Sequence, residues 1–211
     1  MITNLLKNKS EKVEITVNSI SEGHHKVTYR GIKAIRCPFD YVIYQMILSE
    51  LKPDLVIEIG TNIGGGALYI ADLMESIGNG IIHTIDIKAQ SDPILKSHPR
   101  IKLFTEGWEN YDLKESEGYK TVLVIEDASH MYKDTLDAIT KFAPLVTKGS
   151  YLIVEDGIIN ELNLEKEFHG GPLKAIREFT VVNKDFMIDR KWCDMFGVNA
   201  TFNVNGYLKK I

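Results

Sequence analysis

Cysteine is scarce in this chain. Only Cys37 and Cys193 occur among 211 residues, too few for a zinc knuckle or a disulfide framework. No run of eighteen apolar residues occurs, so no membrane span is expected. The opening MITNLLKNKSEKVEITVNS is charged at positions 7, 9, 11 and 12 and has no apolar h-region, which predicts no signal peptide and a cytoplasmic location. A basic excess is missing as well. Lys and Arg number 25 against 29 Asp and Glu, a net charge of −4 that lacks the footprint of a nucleic-acid binder. No repeat, low-complexity tract or Pro/Gly/Ser linker divides the chain, and its length suits one domain with a decorated end. No His-x-Asp or His-x-Glu pair occurs, which argues against a non-haem iron oxygenase built on two histidines and a carboxylate.

What is present is a rhythm. LVIEI at 55–59 is short and nearly all apolar, the mark of a strand buried on both faces. GIIHTIDI at 80–87, IKLFT at 101–105, TVLVIED at 121–127 and SYLIVED at 150–156 repeat that character. Helical stripes lie around and between them: Phe39 to Leu51, Leu68 to Ile77, Tyr132 to Val146, and Leu173 to Val182. Pro38 suits an early helical position and Pro53 lies past the end of the first of these helices. Buried strands alternating with helices predict an α/β fold with a doubly wound, mostly parallel sheet and helices on both faces. FMID and TFNVNGYLKKI read as two closing strands, one of them antiparallel, for seven in all. Residues 1–37 form a polar lead-in with one alternating stretch, Val13 to Val17, ahead of a domain at 38–211.

Ligands of such sheets bind beyond the carboxyl ends of the strands. The first strand runs into Glu58-Ile59-Gly60-Thr61-Asn62-Ile63-Gly64-Gly65-Gly66. A dinucleotide fingerprint would need glycine where Asn62 stands. The acid in this loop would repel a pyrophosphate and attract an ammonium, which favours S-adenosylmethionine. Asp86, at the end of the second strand, suits both ribose hydroxyls of a nucleoside.

The fourth strand ends Glu126-Asp127-Ala128-Ser129-His130 and the fifth Glu155-Asp156-Gly157. Were Asp127, Glu155 and Asp156 to meet at one edge, their repulsion would call for a cation between them, most simply magnesium. Taken singly, such acids also cap helices or face solvent. His130 lies three residues past Asp127. An imidazole of ordinary pKa, about 6.5, is largely neutral near pH 7 and can accept a proton. A base beside a metal-polarised hydroxyl is what methyl transfer to oxygen needs. His24, His25, His83 and His98 read as structural, and His169, beside Gly170 and Gly171, as a loop residue near the site.

These blocks resemble the cephalosporin-hydroxylase-like family, grouped with rhamnosyl O-methyltransferases. The resemblance runs from about Tyr29 to Ile211 through YRGIKAIRCPFDYVIYQMI, KPDLVIEIGTNIGGGALYIADLM, VLVIEDASHMYKDTL, LVTKGSYLIVEDG, HGGPLKAIREF and NATFNVNGYLKKI. It implies the class I methyltransferase fold. It also implies donor contacts through Glu58, Gly60, Thr61, Asn62, Gly64, Gly66, Asp86, Ile87, Trp108 and Asp127. The sequence is also similar, more distantly, to macrolide-sugar and catechol-type O-methyltransferases; that similarity implies that Asp127, Glu155 and Asp156 hold the metal and that His130 matches the proposed base of the macrolide-sugar enzymes, where catechol-type enzymes carry lysine. Two departures stand out: Gly66 replaces the usual serine of the loop, removing a hydroxyl contact, and Trp108-Glu109 replace small polar residues near the adenine.

Two functional readings follow. One is a magnesium-dependent O-methyltransferase acting from S-adenosylmethionine on a hydroxyl of a sugar or small metabolite. The other is a non-catalytic helper that binds the cofactor without turnover. The acceptor pocket is expected from residues 1–37 and 157–172. The partners expected are the acceptor and, as one option, a second copy of the chain (a homo-oligomer); the sequence defines neither the acceptor nor the oligomeric state.

Overall fold

A computed structural model of the protein describes residues 13–88 and 90–211. The alternating residues from Val13 form no strand. Thr16 instead caps a short helix, α1 (Val17–His24), through a reciprocal capping box with Ser19. A two-stranded hairpin, β1 (Thr28–Tyr29) and β2 (Ile32–Lys33), follows. Neither element carries enough periodic apolar sequence to be read in advance.

From Pro38 onward the chain alternates as its pattern predicts. α2 (Pro38–Leu51) begins with proline in its first turn and stops at Lys52, in the left-handed conformation. Then come β3 (Leu55–Ile59), α3 (Gly65–Ile77), β4 (Ile81–Ile85), α4 (Ile94–Ser97) and β5 (Ile101–Phe104). β6 (Val122–Glu126), α5 (Tyr132–Phe142), β7 (Tyr151–Val154), α6 (Gly171–Val182), β8 (Phe186–Ile188), α7 (Arg190–Cys193) and β9 (Tyr207–Lys210) complete the order. α5 ends earlier than its apolar stripe, because Pro144 removes a backbone donor and the chain tightens into a 3-10 turn at Ala143–Leu145.

Seven strands form one sheet in the order β5-β4-β3-β6-β7-β9-β8. The first five pair in parallel, and β9 runs antiparallel to both its neighbours. Side chains alternate faces along each strand. Ile57, Ile59, Val124, Leu152 and Val154 meet α5 and α6 residues on one face. Val56, Ile125, Tyr151, Ile153 and Tyr207 meet α2, α3 and α7 residues on the other. β3 lies between β4 and β6, so the chain leaves the sheet centre in opposite directions and opens a crevice above the end of β3. No helix among the described residues is long and apolar enough to cross a membrane.

Candidate active site

Backbone pairing aligns the strand ends that build the site. Gly60 donates to the Ile85 carbonyl, Asp127 to that of Ile59 and Glu155 to that of Glu126, each at 2.8–2.9 Å. Gly60, Asp127 and Glu155 thus leave the sheet side by side. Gly60 has φ of +106°, and a Cβ there would lie 2.0 Å from the Asp127 carbonyl oxygen. Only glycine allows the loop this close to β6.

Above these ends lies a cavity of about 630 Å³, within the range of small-molecule sites. Of the donor-binding candidates, Gly60, Asn62, Asp86, Ile87, Trp108 and Asp127 line it. The Asp86 carboxylate ties the loop together: Oδ2 accepts from the Asn62 N–H at 2.7 Å, and Oδ1 from the N–H groups of Ile87 and Lys88 at 2.7 and 3.2 Å. Glu58, Thr61 and Gly66 line a smaller adjoining recess instead. Gly64 lines neither; it starts α3 in the left-handed conformation against Leu95.

Glu58 is buried, and its Oε2 accepts from Thr84 Oγ1 at 2.6 Å; Thr84 Oγ1 is in turn 2.7 Å from Thr61 Oγ1. Burial pushes the Glu58 carboxyl up to about 7, against the lowering effect of Arg36 and Thr84. Glu58 therefore faces Arg36 and the threonines, in the recess that adjoins the main cavity.

Across the cavity, one ligand atom each from Asp127, His130 and Asp156 falls within 4.8 Å of the others. His130 Nε2 is 3.3 Å from Asp156 Oδ2, and its buried Nδ1 has no hydrogen-bond partner. Both His130 and Asp156 adopt left-handed backbone conformations, with φ of +59° and +56°. His130 does not cap α5: the cap position is Met131, whose side chain makes no capping hydrogen bond and whose N–H donates to Ser129 Oγ at 3.2 Å. The Asp127 carboxyl is held well above the usual range, first by burial and then by Glu155 and Asp156. A hard cation would relieve that repulsion, so this oxygen-rich donor set fits one.

The predicted trio of acids does not form. Consecutive residues at a strand end point to opposite sides. Glu155 continues the Tyr151 and Ile153 face under α2, while Asp156 turns to the cavity. The Glu155 carboxylate, 3% exposed, accepts from Arg36 Nε at 3.0 and 3.2 Å and Nη2 at 2.6 Å, and from Tyr44 Oη at 2.8 Å. Reading Glu155 as the third member of the cluster is corrected accordingly; His130 takes that place.

The opposite wall was less legible. Ser21, His24, His25 and Ile35 reach it from the lead-in, and Ile158, Ile159, Leu162, Leu164 and Phe168 from the segment after β7. His24 and His25, read as structural, line the cavity; His169 does not, and the neighbouring Phe168 ring lies edge-on to His130 with centroids 6.1 Å apart. They belong to the two segments expected to supply the acceptor pocket, but α1 and the 157–172 loop have no periodic pattern that singles out individual residues. Burial and His25 lower the His24 pKa.

A family model described as Rhamnosyl O-methyltransferase/CmcI matches residues 22–211. A rhamnosyl O-methyltransferase of Mycobacterium leprae (strain TN) is 34% identical over 214 residues, covering 90% of each chain. One of Mycobacterium bovis (strain BCG / Pasteur 1173P2) is 35% identical over 193 residues, covering 87% of this chain and 78% of its own. Among solved structures, cmcI with SAH superposes with a TM-score of 0.69 at 16% identity, over 96% of this chain and 95% of that one. A cmcI structure with magnesium and SAM gives 0.65 at 21% identity, over 89% and 77%. The O-methyltransferase TomG of Streptomyces achromogenes, with SAM, gives 0.56 at 14%, over 83% and 82%.

Proposed function

Because this chain belongs to the Rhamnosyl O-methyltransferase/CmcI family, we propose that it moves the methyl group of S-adenosylmethionine onto a hydroxyl of a sugar or sugar-bearing small molecule. The observation that carries this reading is one of position. The loop after β3, Asp86 after β4, Asp127 and His130 after β6 and Asp156 after β7 all face one cavity. A donor held against the β3 and β4 ends lies beside a proton acceptor and a carboxylate cluster.

Asp127 and Asp156 would hold magnesium, and Asp86 the donor's ribose. Magnesium supplies positive charge that makes an acceptor hydroxyl more acidic. His130 Nε2 takes the hydroxyl proton. The freed oxygen lone pair forms the new C–O bond as the methyl–sulfur bond breaks, and that bonding pair stays on sulfur as a neutral thioether. Ile158, Ile159, Leu162 and Phe168 bind the acceptor's apolar parts and exclude water.

The cluster geometry also favours a second reading, in which His130 is a metal ligand instead of the base. His130→Ala separates them. As the base, its loss lowers turnover and spares metal binding; as a ligand, its loss weakens both. The overall reading is tested by methyl transfer from methyl-labelled S-adenosylmethionine to a panel of rhamnosides and other glycosides, with magnesium and after chelation. Transfer that needs the metal is expected. Donor binding without metal linkage or transfer would leave the helper reading in its place.

A further inference from the structure

We infer that Arg36 is the residue that binds the donor's amino-acid carboxylate, in the recess between the lead-in and α3. This rests on reading the main cavity as the S-adenosylmethionine site, and it adds an assigned contact that the glycine loop alone does not provide.

Arg36 lies in the extended segment between β2 and α2 and is 4% exposed. Register explains its surroundings. Glu58, Asp127 and Glu155 extend one face of three adjacent strands, and the guanidinium lies across them. Nε and Nη2 serve Glu155; Nη2 is also 3.6 Å from Asp127 Oδ2 and 3.7 Å from Glu58 Oε1. The Tyr44 ring centroid is 4.5 Å from the guanidinium carbon. Nη1 is buried and has no partner. A buried N–H left without a partner is unfavourable, and a carboxylate oxygen would satisfy it.

Arg36 lines a recess of about 30 Å³ with Gly60, Thr61, Asn62, Gly65 and Gly66, and the recess shares Gly60, Asn62 and Asp127 with the main cavity. The same recess meets the N-terminus of α3, a helix of thirteen residues with no side-chain cap. First-turn N–H groups there lack helical partners and favour negative charge. A Cβ on Gly66 would lie 3.2 Å from Glu58 Oε1 and 3.4 Å from Arg36 Nη1, so the glycine keeps this space open. A doubly charged phosphate would meet three carboxylates around Arg36. A zwitterionic amino acid meets both signs suitably, its carboxylate toward Nη1 and its ammonium toward Asp127.

The test is calorimetric titration of the whole protein with S-adenosylhomocysteine and with its decarboxylated analogue. The wild type should bind the carboxylate-bearing ligand about ten- to a hundredfold more tightly, the usual scale for a charged hydrogen bond. In Arg36→Gln that gap should close, mainly through weaker S-adenosylhomocysteine binding. Should Arg36→Gln not fold, Arg36→Lys replaces it, and the gap should narrow there. Equal affinities in the wild type would overturn the assignment and leave the donor site standing. So would a variant that weakens both ligands equally, which marks a purely structural arginine. If neither ligand binds the wild type, the donor reading itself fails and this inference with it.

Discussion

Glu155 and Asp156 are adjacent acids with opposite surroundings, and a pair of substitutions separates their roles. Glu155 lies against Arg36 and Tyr44, with its side chain and that of Arg36 4% and 2% exposed. Removing one partner of a buried ion pair costs about 3–5 kcal/mol. Asp127 and Glu58 stay within 3.7 Å of Arg36, which argues for the low end, about 3 kcal/mol. For a domain of this size each kcal/mol moves Tm by about 2–4 °C, so Glu155→Gln should melt about 6–12 °C lower without metal. Asp156 faces the cavity and adds to the repulsion on Asp127. Asp156→Asn should leave the metal-free Tm unchanged or raise it. Magnesium should reverse the contrast. At a hundred times its Kd it would stabilise the wild type by about 2.7 kcal/mol, or about 5–10 °C. Glu155→Gln should keep most of that increment and Asp156→Asn should lose it. Differential scanning fluorimetry of the three proteins with and without magnesium reads all six values. A Glu155→Gln protein of normal metal-free Tm that no longer responds to magnesium would restore Glu155 as a ligand and refute the reasoning.

His130→Ala should lower kcat by about a hundredfold with little change in S-adenosylmethionine affinity, and His130→Lys should move the activity optimum to higher pH, because a lysine keeps its proton longer; pH–rate profiles of the three proteins check both. Asp86→Ala should weaken donor binding by about tenfold or more, since the carboxylate is the proposed ribose contact and also ties Asn62, Ile87 and Lys88 together; unchanged calorimetric affinity would remove the assignment. Asp40 supplies a pH dependence of stability. Burial, the largest influence, pushes its carboxyl up to about 7 from 3.8, against donation from Thr201, the Phe202 N–H and Tyr207. The folded state then holds this proton to higher pH than the unfolded chain. The stabilisation is full below about 4 and is lost as pH rises to about 7, so Tm should fall across that window and Asp40→Asn should flatten the fall.

The sheet was readable because strands buried on both faces have all-apolar sequences, and five of them stand between helical stripes. LVIEI and VLVIE could hardly form anything else once the intervening helices were recognised. α1 and the β1–β2 hairpin were not readable. Ser19 completes a capping box that only its hydrogen bonds reveal, and the hairpin strands are two residues each. In the site, the ends of β3, β4 and β6 were legible because glycine and acid punctuate the apolar runs there. The acceptor-side wall was not, because Ile158, Leu162 and Phe168 belong to no periodic pattern.

Arg36 shows why composition at strand ends is an incomplete guide to a site. Three acids at neighbouring strand ends invite a cation, and the sequence offers no way to tell whether that cation is a metal or a side chain 119 residues away from Glu155. Position on the face decides it. Glu155 lies under α2, against the segment that delivers the guanidinium; Asp127, on the same face, also borders the open cavity, and Asp156 turns into it, where an external ion can reach both. The same geometry accounts for Gly66, where a serine is usual in the family it resembles. A Cβ at that position would crowd Glu58 Oε1, at 3.2 Å, and touch Arg36 Nη1, at 3.4 Å. With glycine there, Arg36 Nη1 faces the space that a serine hydroxyl would otherwise enter. The proposed donor site lacks that neutral donor and has instead a charged one from the segment before α2, fixed from three sides by Glu155, Glu58 and the Tyr44 ring. A buried, pre-oriented cation binds a carboxylate with less ordering cost than a freely rotating hydroxyl. The substitution is therefore consistent with a functional donor site in this chain.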